Sequence, residues 1–156
     1  MNSLAPVTIR PAQRDDVADI VTMLADDALG RGRERLEQPL PSSYFEAFAR
    51  IEADRNVRLM VAEAAGGGVV GCLQLCILPG LSSQGSSRGL IEDVRVAAHC
   101  RGRRIGEQLV QWAVEAARGS GCKVVELLTH QSRVDAQRFY IRLGFAPSHV
   151  GMTLRF

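Results

Sequence analysis

A strand-like run, Leu90 to Val96, leads through Ala97 to Cys100 into Arg101-Gly102-Arg103-Arg104-Ile105-Gly106, and that turn opens onto an apolar stripe at Ile105, Leu109, Trp112, Ala113 and Ala116. The change from strand-like to helical spacing predicts a strand, a tight turn and an amphipathic helix. A strand and a helix that each bury one face are satisfied together when helices lie on a sheet, so this junction points to a mixed α/β fold. It also builds an anion site. The first turn of a helix has unpaired N–H groups and a partial positive charge. Glycine lets an anion approach the backbone, and Arg101, Arg103 and Arg104 add permanent charge.

The rest of the chain supplies a sheet. Val7 to Arg10 is a short strand ending at Pro11, and Val17, Ile20, Val21 and Leu24 mark a first helix. Asp26 to Pro41 reads as a long loop. Ser43-Tyr44-Phe45-Glu46 has the spacing of a capping box and opens a second helix through about Ala53. Val57 to Ala64 and Val69 to Leu78, joined at Gly66-Gly67-Gly68, read as a hairpin. Pro79 to Gly89 is a flexible loop before the strand at Leu90. Gly119 and Gly121 close the long helix, Lys123 to Thr129 reads as a buried strand, and Val134 to Leu143 is a helix stopped by Gly144. Ser148 to Phe156 reads as a last strand. The order is β-α-α-β-β-β-α-β-α-β, in one domain spanning 7–156.

Composition removes several classes of function. The 156 residues carry 19 Lys plus Arg against 17 Asp plus Glu, a net +2 that gives no general attraction to nucleic acid or to an anionic membrane. No apolar run approaches the roughly 20 residues of a membrane span, and Met1 to Pro11 lacks the order of a secretion signal. A cytoplasmic protein is expected. Cys72, Cys76, Cys100 and Cys122 lack the repeated pairing of a zinc site, so they read as free buried thiols and no metal is expected. The glycine pattern matches neither Gly-x4-Gly-Lys-Ser/Thr nor Gly-x-Gly-x-x-Gly, which disfavours a nucleotide triphosphatase and a dehydrogenase.

Arg101 to Gly106 resembles the Arg/Gln-x-x-Gly-x-Gly/Ala signature of the GNAT superfamily of N-acetyltransferases. Asp135-Ala136-Gln137-Arg138-Phe139-Tyr140-Ile141-Arg142-Leu143-Gly144-Phe145 is similar to its Ala-x-x-Phe-Tyr-x-x-x-Gly-Phe segment, about 35 residues further on. The resemblance runs from Thr8 to the end. It implies a single mixed, mostly antiparallel sheet with central splayed strands, flanked by about four helices. It also implies acetyl-CoA as cosubstrate, with the pyrophosphate on Arg101, Gly102, Arg103, Arg104, Ile105 and Gly106. Pantetheine would lie along Val94, Arg95 and Val96, near Arg133, Ala136 and Tyr140. The chain departs from the family where Arg104 replaces a glycine and Arg133 an asparagine. With helical φ, Arg104 would still offer its N–H.

The reaction so implied is attack of a primary amine on the thioester, in a small-molecule or peptide acceptor, within a ternary complex. Freeing an alkylamine from its proton at neutral pH costs roughly 4.6 kcal/mol, so a base helps. Glu92 matches the family's glutamate base, ahead of Asp93 and His130. Tyr140 matches its general acid for the departing thiolate, and the N–H of Val94 is placed to stabilise the oxyanion. The alternative is a non-catalytic acyl-CoA-binding regulatory module. Acceptor choice is expected in the loops 26–41 and 79–89, and the apolar segment Val150 to Phe156 is a candidate contact for a homodimer.

Overall fold

The computed structural model describes residues 6–26 and 30–156. Its elements are β1 (Val7–Pro11), a 3-10 turn (Arg14–Asp16), α1 (Val17–Ala25), α2 (Ser42–Ala53), β2 (Val57–Ala64), β3 (Val69–Leu78), the four-residue α3 (Ser82–Gly85), β4 (Arg88–Val96), a second 3-10 turn (Ala98–Cys100), α4 (Ile105–Gly119), β5 (Val124–Leu127) and α5 (Val134–Arg142). The strands form one sheet in the order β1-β2-β3-β4-β5. β1 to β4 pair antiparallel in succession. The crossover through α4 is the connection that parallel neighbours require, which makes the sheet mixed. The chain divides into two compact units, one through Glu126 and one from Leu127. No described helix is long and apolar enough to cross a membrane.

In the first unit the sheet carries helices on both faces, as the strand alternation demands. Leu73, Leu75 and Ile91 are fully buried, as are Ile105, Leu109 and Val110 of α4. Gly71 and Gly89 set how closely α4 approaches. A Cβ on Gly71 would stand 3.0 Å from Leu109, and one on Gly89 would stand 3.0 Å from Ala117. Neighbouring strand positions point to opposite faces. Cys72 accordingly packs with Val61, Ile20 and Met23 under α1. Val17, Val21 and Phe48 join α1 to α2. At the sheet edge the buried Asp16 carboxylate accepts 2.7 and 3.1 Å bonds from Arg10, whose Nε reaches Glu63 at 2.6 Å.

Several sequence expectations shift. The second helix begins at Ser42 after Pro41, with no side-chain cap, so the capping box at Ser43 does not form. The stripe of α4 is rotated: Val110 and Ala117 are buried where Trp112 and Ala116 were expected, and those two are half-buried. β4 starts two residues early, at Arg88, and the loop before it holds α3. β5 is shorter than Lys123 to Thr129 and is not fully buried, for Val124 is exposed. The expected strand at Ser148 to Phe156 has no regular secondary structure. Of the long loop, residues 27–29 lie outside the described residues.

In the second unit, α5 brings three rings together. Tyr140 meets Phe139 edge-on at 5.0 Å between centroids and Phe145 at 5.9 Å. Gly144, with φ +92, ends the helix in the left-handed conformation that glycine adopts without strain.

Candidate active site

The turn between β4 and α4 has the backbone that an anion cradle requires. Gly102 has φ +77, and a Cβ there would meet nothing within 4 Å, so the space above it is open. Arg104 is left-handed, with φ +61 and ψ 20, immediately before Ile105 starts the helix. The condition of a helical φ is therefore not met, and an L side chain in this conformation is strained. The Arg104 guanidinium is folded onto the helix, donating 2.7 and 2.6 Å bonds to Glu107, which hold it more firmly in its charged form.

The other two arginines differ from each other. Arg101 donates to the Asp26 carboxylate at 2.7 Å and to the carbonyl of Val96 at 3.3 Å, so the end of α1 is tied to the turn. Arg103 is exposed and forms no ion pair among the described residues. The open space over Gly102, the helix start and this guanidinium together fit a diphosphate, held by backbone N–H groups and by arginine.

β4 carries a bulge where the chemistry is expected. Gln74 pairs with Glu92 and Cys72 with Arg95, so Asp93 and Val94 together oppose Leu73. Asp93 takes φ +51 to make this possible. A bulge leaves its residues out of the ladder and bends the strand, which frees backbone groups for another partner. The carbonyl of Asp93 accepts a weak 3.5 Å contact from Cys72 Sγ. Burial pushes the Cys72 thiol up to about 12.

Glu92 is exposed and stands in a small polar cluster. Gln74 Nε2 donates to Glu92 Oε2 at 3.3 Å, and Cys76 Sγ lies 3.7 Å from the same oxygen. The Cys76 thiol is raised by burial, though Gln74 donates to its sulfur at 3.5 Å. In the second unit, Arg133 precedes α5 and its carbonyl accepts from the Gln137 N–H at 3.1 Å, while Ala136 and Tyr140 are half-buried on that helix. The structure thus brings Val94, Arg95, Val96 and the turn 101–106 into one continuous strand-turn-helix, with Ala136 and Tyr140 on α5 and Arg133 at its N-cap.

Sequence reasoning missed Gln74 and Cys76 as neighbours of the site, and placed Asp26 in the acceptor loop without its bond to Arg101. The loop 26–41, where acceptor choice is expected, lines a cavity of about 400 Å³ through Asp26, Arg31, Glu34 and Leu36, together with Thr22 and Ala25 of α1. Both of its carboxylates are engaged. Asp26 holds Arg101, and Glu34 accepts from the Tyr44 hydroxyl at 3.0 Å. Arg31 forms no ion pair among the described residues. The signal available beforehand was the density of arginine at 31, 33 and 35 in an otherwise aperiodic loop.

The acetyltransferase (GNAT) family pattern matches residues 21–145, which is most of the chain and includes both motifs. The chain belongs to the GNAT acetyltransferase family. This family's members are acyltransferases that use acetyl-CoA as cosubstrate. The chain is 37% identical over 111 residues to an aminoalkylphosphonate N-acetyltransferase of Salmonella typhimurium, covering 71% of each protein. It is 35% identical over 113 residues to glucosamine 6-phosphate N-acetyltransferase 1 of rice, Oryza sativa, covering 72% of this chain and 66% of that one. Among solved structures, a protein of Bacillus halodurans described as a transcriptional regulator superposes with a TM-score of 0.93 at 49% identity, over 97% of this chain and 100% of that one.

Proposed function

We propose that this GNAT acetyltransferase moves an acetyl group from acetyl-CoA to the primary amine of a small molecule that carries a phosphonate or phosphate group. The observation that carries the acceptor class is the cavity beside α1, where Arg31 offers a fork of donors while Asp26 and Glu34 are already held. A planar guanidinium matches a phosphonate or phosphate bidentately. The names of the Salmonella and rice relatives support this class, since each denotes an amine bearing such an anion.

Residues 7–156 are read as one catalytic domain, because the family match runs across the division at Glu126. The turn Arg101 to Gly106 holds the pyrophosphate. Val94, Arg95 and Val96 pair with pantetheine beside Arg133 and Ala136. Glu92 takes the proton of the attacking amine, directly or through water, with Gln74 orienting its carboxylate. The N–H of Val94, outside the β3 ladder, donates to the thioester oxygen as it becomes negative. Tyr140 protonates the departing thiolate. The free thiols accord with a cytoplasmic location, and the working unit is a homodimer.

The test follows thiol release from acetyl-CoA against aminoalkylphosphonates, phosphorylated amino sugars, aminoglycosides and peptide amines. Selective release with the phosphonates or phosphates is expected, and release that favours amines without the anion would overturn the acceptor class. The Bacillus halodurans description favours a second reading, a regulatory module that binds acyl-CoA without turning it over. Its signature is heat of binding with no thiol released by any acceptor.

A further inference from the structure

The sulfur of Cys76 is met by two polar groups: Gln74 Nε2 donates to it at 3.5 Å, and Glu92 Oε2 lies 3.7 Å away. Gln74 Nε2 also donates to that same oxygen at 3.3 Å. The three side chains close a ring of contacts around Oε2, while Oε1 accepts no bond from any of the described residues. The sheet puts them there. Gln74 and Cys76 stand at alternate positions of β3 and share a face, and Gln74 is the ladder partner of Glu92 on β4. Leu73 and Leu75 point the other way and are buried. Glu92 is the last residue in register before the bulge, so the ladder fixes its backbone but not its exposed side chain. The thiol is a proton donor in this ring. Burial pushes it up, and the carboxylates of Glu92 and of Asp54, which follows α2, push the same way against the Gln74 bond, so it stays S–H at neutral pH.

We propose that Cys76 is a positioning residue for acetyl transfer: with Gln74 it holds Glu92 Oε2, so that Oε1 is the oxygen that takes the proton of the attacking amine. This rests on the reading of Glu92 as the base. An exposed glutamate on a strand has several side-chain torsions to settle, and a base loses rate when its oxygen strays from the proton it must take. Two donors on one face of β3 remove that freedom at one oxygen and leave the lone pairs of the other available. When the proton passes to Oε1, directly or through water, the N–H bond breaks and its electron pair stays on nitrogen for attack on the thioester carbonyl. Glu92 becomes a neutral carboxyl. The contacts at Oε2 are strongest while the carboxylate is charged, so they orient the base before the transfer and relax after it. Cys76 acts in this only through Glu92.

Infrared spectroscopy of the full chain reads the contact without any acceptor. The S–H stretch of Cys76, assigned by its absence from Cys76→Ser, is expected to move to higher frequency in Glu92→Leu. An unmoved band would overturn the proposal, whatever amine the enzyme takes. Kinetics then test the role, as thiol release from acetyl-CoA with an aminoalkylphosphonate. Cys76→Ala is expected to lower kcat about five-fold, the scale of one weak hydrogen bond to a charged group, with KM for both substrates within about two-fold. Cys76→Ser keeps a donor and is expected to recover most of the loss. In a Glu92→Gln background, Cys76→Ala is expected to have no further effect on kcat, because the two residues act as a unit. Four outcomes would overturn the proposal alone: an unchanged kcat in Cys76→Ala, an equal loss in Cys76→Ser, the same loss again in the Glu92→Gln background, or a weakened affinity for acetyl-CoA. Full turnover in Glu92→Gln itself would instead remove the base, and this proposal with it.

Discussion

Arg101 and Asp26, 75 positions apart in the chain, are joined by a 2.7 Å ion pair. The first arginine of the proposed pyrophosphate turn is therefore partly neutralised by the end of α1, through a residue that also lines the proposed acceptor cavity. Replacing Asp26 with Asn keeps the size and removes the charge. Acetyl-CoA is expected to bind about two- to five-fold tighter by calorimetry, and stability to fall by less than about 1 kcal/mol, because the pair is exposed. Weaker binding would show that Asp26 holds Arg101 in its productive position.

Glu92 and Tyr140 are separable by experiment. Glu92→Gln is expected to lower kcat by about 10²-fold, the scale of general base catalysis, with the acetyl-CoA dissociation constant unchanged. Tyr140→Phe keeps the ring contacts with Phe139 and Phe145, so turnover should fall while binding and folding persist. Unchanged turnover in either variant would remove that residue from the mechanism.

The left-handed backbone at Arg104 predicts a stability difference of opposite sign for two substitutions. Arg104→Gly should raise the urea midpoint, since relief of the αL strain exceeds the loss of an exposed ion pair. Arg104→Ala keeps the strain and loses the Glu107 contact, so it should lower the midpoint slightly.

Asp16 links stability to acidity. Its burial alone would raise the carboxyl, but the Arg10 hydrogen bonds and the Gln13 N–H outweigh burial and hold it below the usual carboxylate range. A depressed folded value means that the group's contribution is complete above its unfolded value, near 3.9, and is lost as pH falls through the folded one. Denaturant titrations should show stability dropping below about pH 4. Asp16→Asn should cost roughly 2–4 kcal/mol at neutral pH and blunt that drop.

Gly89 tests the approach of α4 to the sheet. A methyl group there would stand 3.0 Å from the Ala117 side chain. Gly89→Ala is expected to destabilise by about 1–3 kcal/mol through overpacking, read as a lower denaturation midpoint with an unchanged slope.

The parts of this fold that were legible in the amino-acid sequence are those governed by local periodicity. β2 and β3 fall where their alternation and the glycines between them predict, and α4 follows the arginine-glycine turn as its spacing predicts. The bulge at Asp93 was not legible, because it depends on how Leu73 on another strand is matched. The Arg104 conformation was hidden by the residue itself, whose side chain signals helix rather than a left-handed turn. Asp26 and Gln74 reach the site only through tertiary proximity. At Ser148 to Phe156 the alternation predicted a strand, and the structure has none there, because alternation alone does not supply the ladder hydrogen bonds that define one.

The buried thiols bear on how this enzyme can be assayed. Cys72, Cys76 and Cys100 are enclosed, and only Cys122 is partly open. A disulfide dye that reports liberated coenzyme should therefore meet at most about one slow background equivalent per polypeptide. Progress curves can then be recorded continuously on the native enzyme, without first blocking its own sulfhydryls.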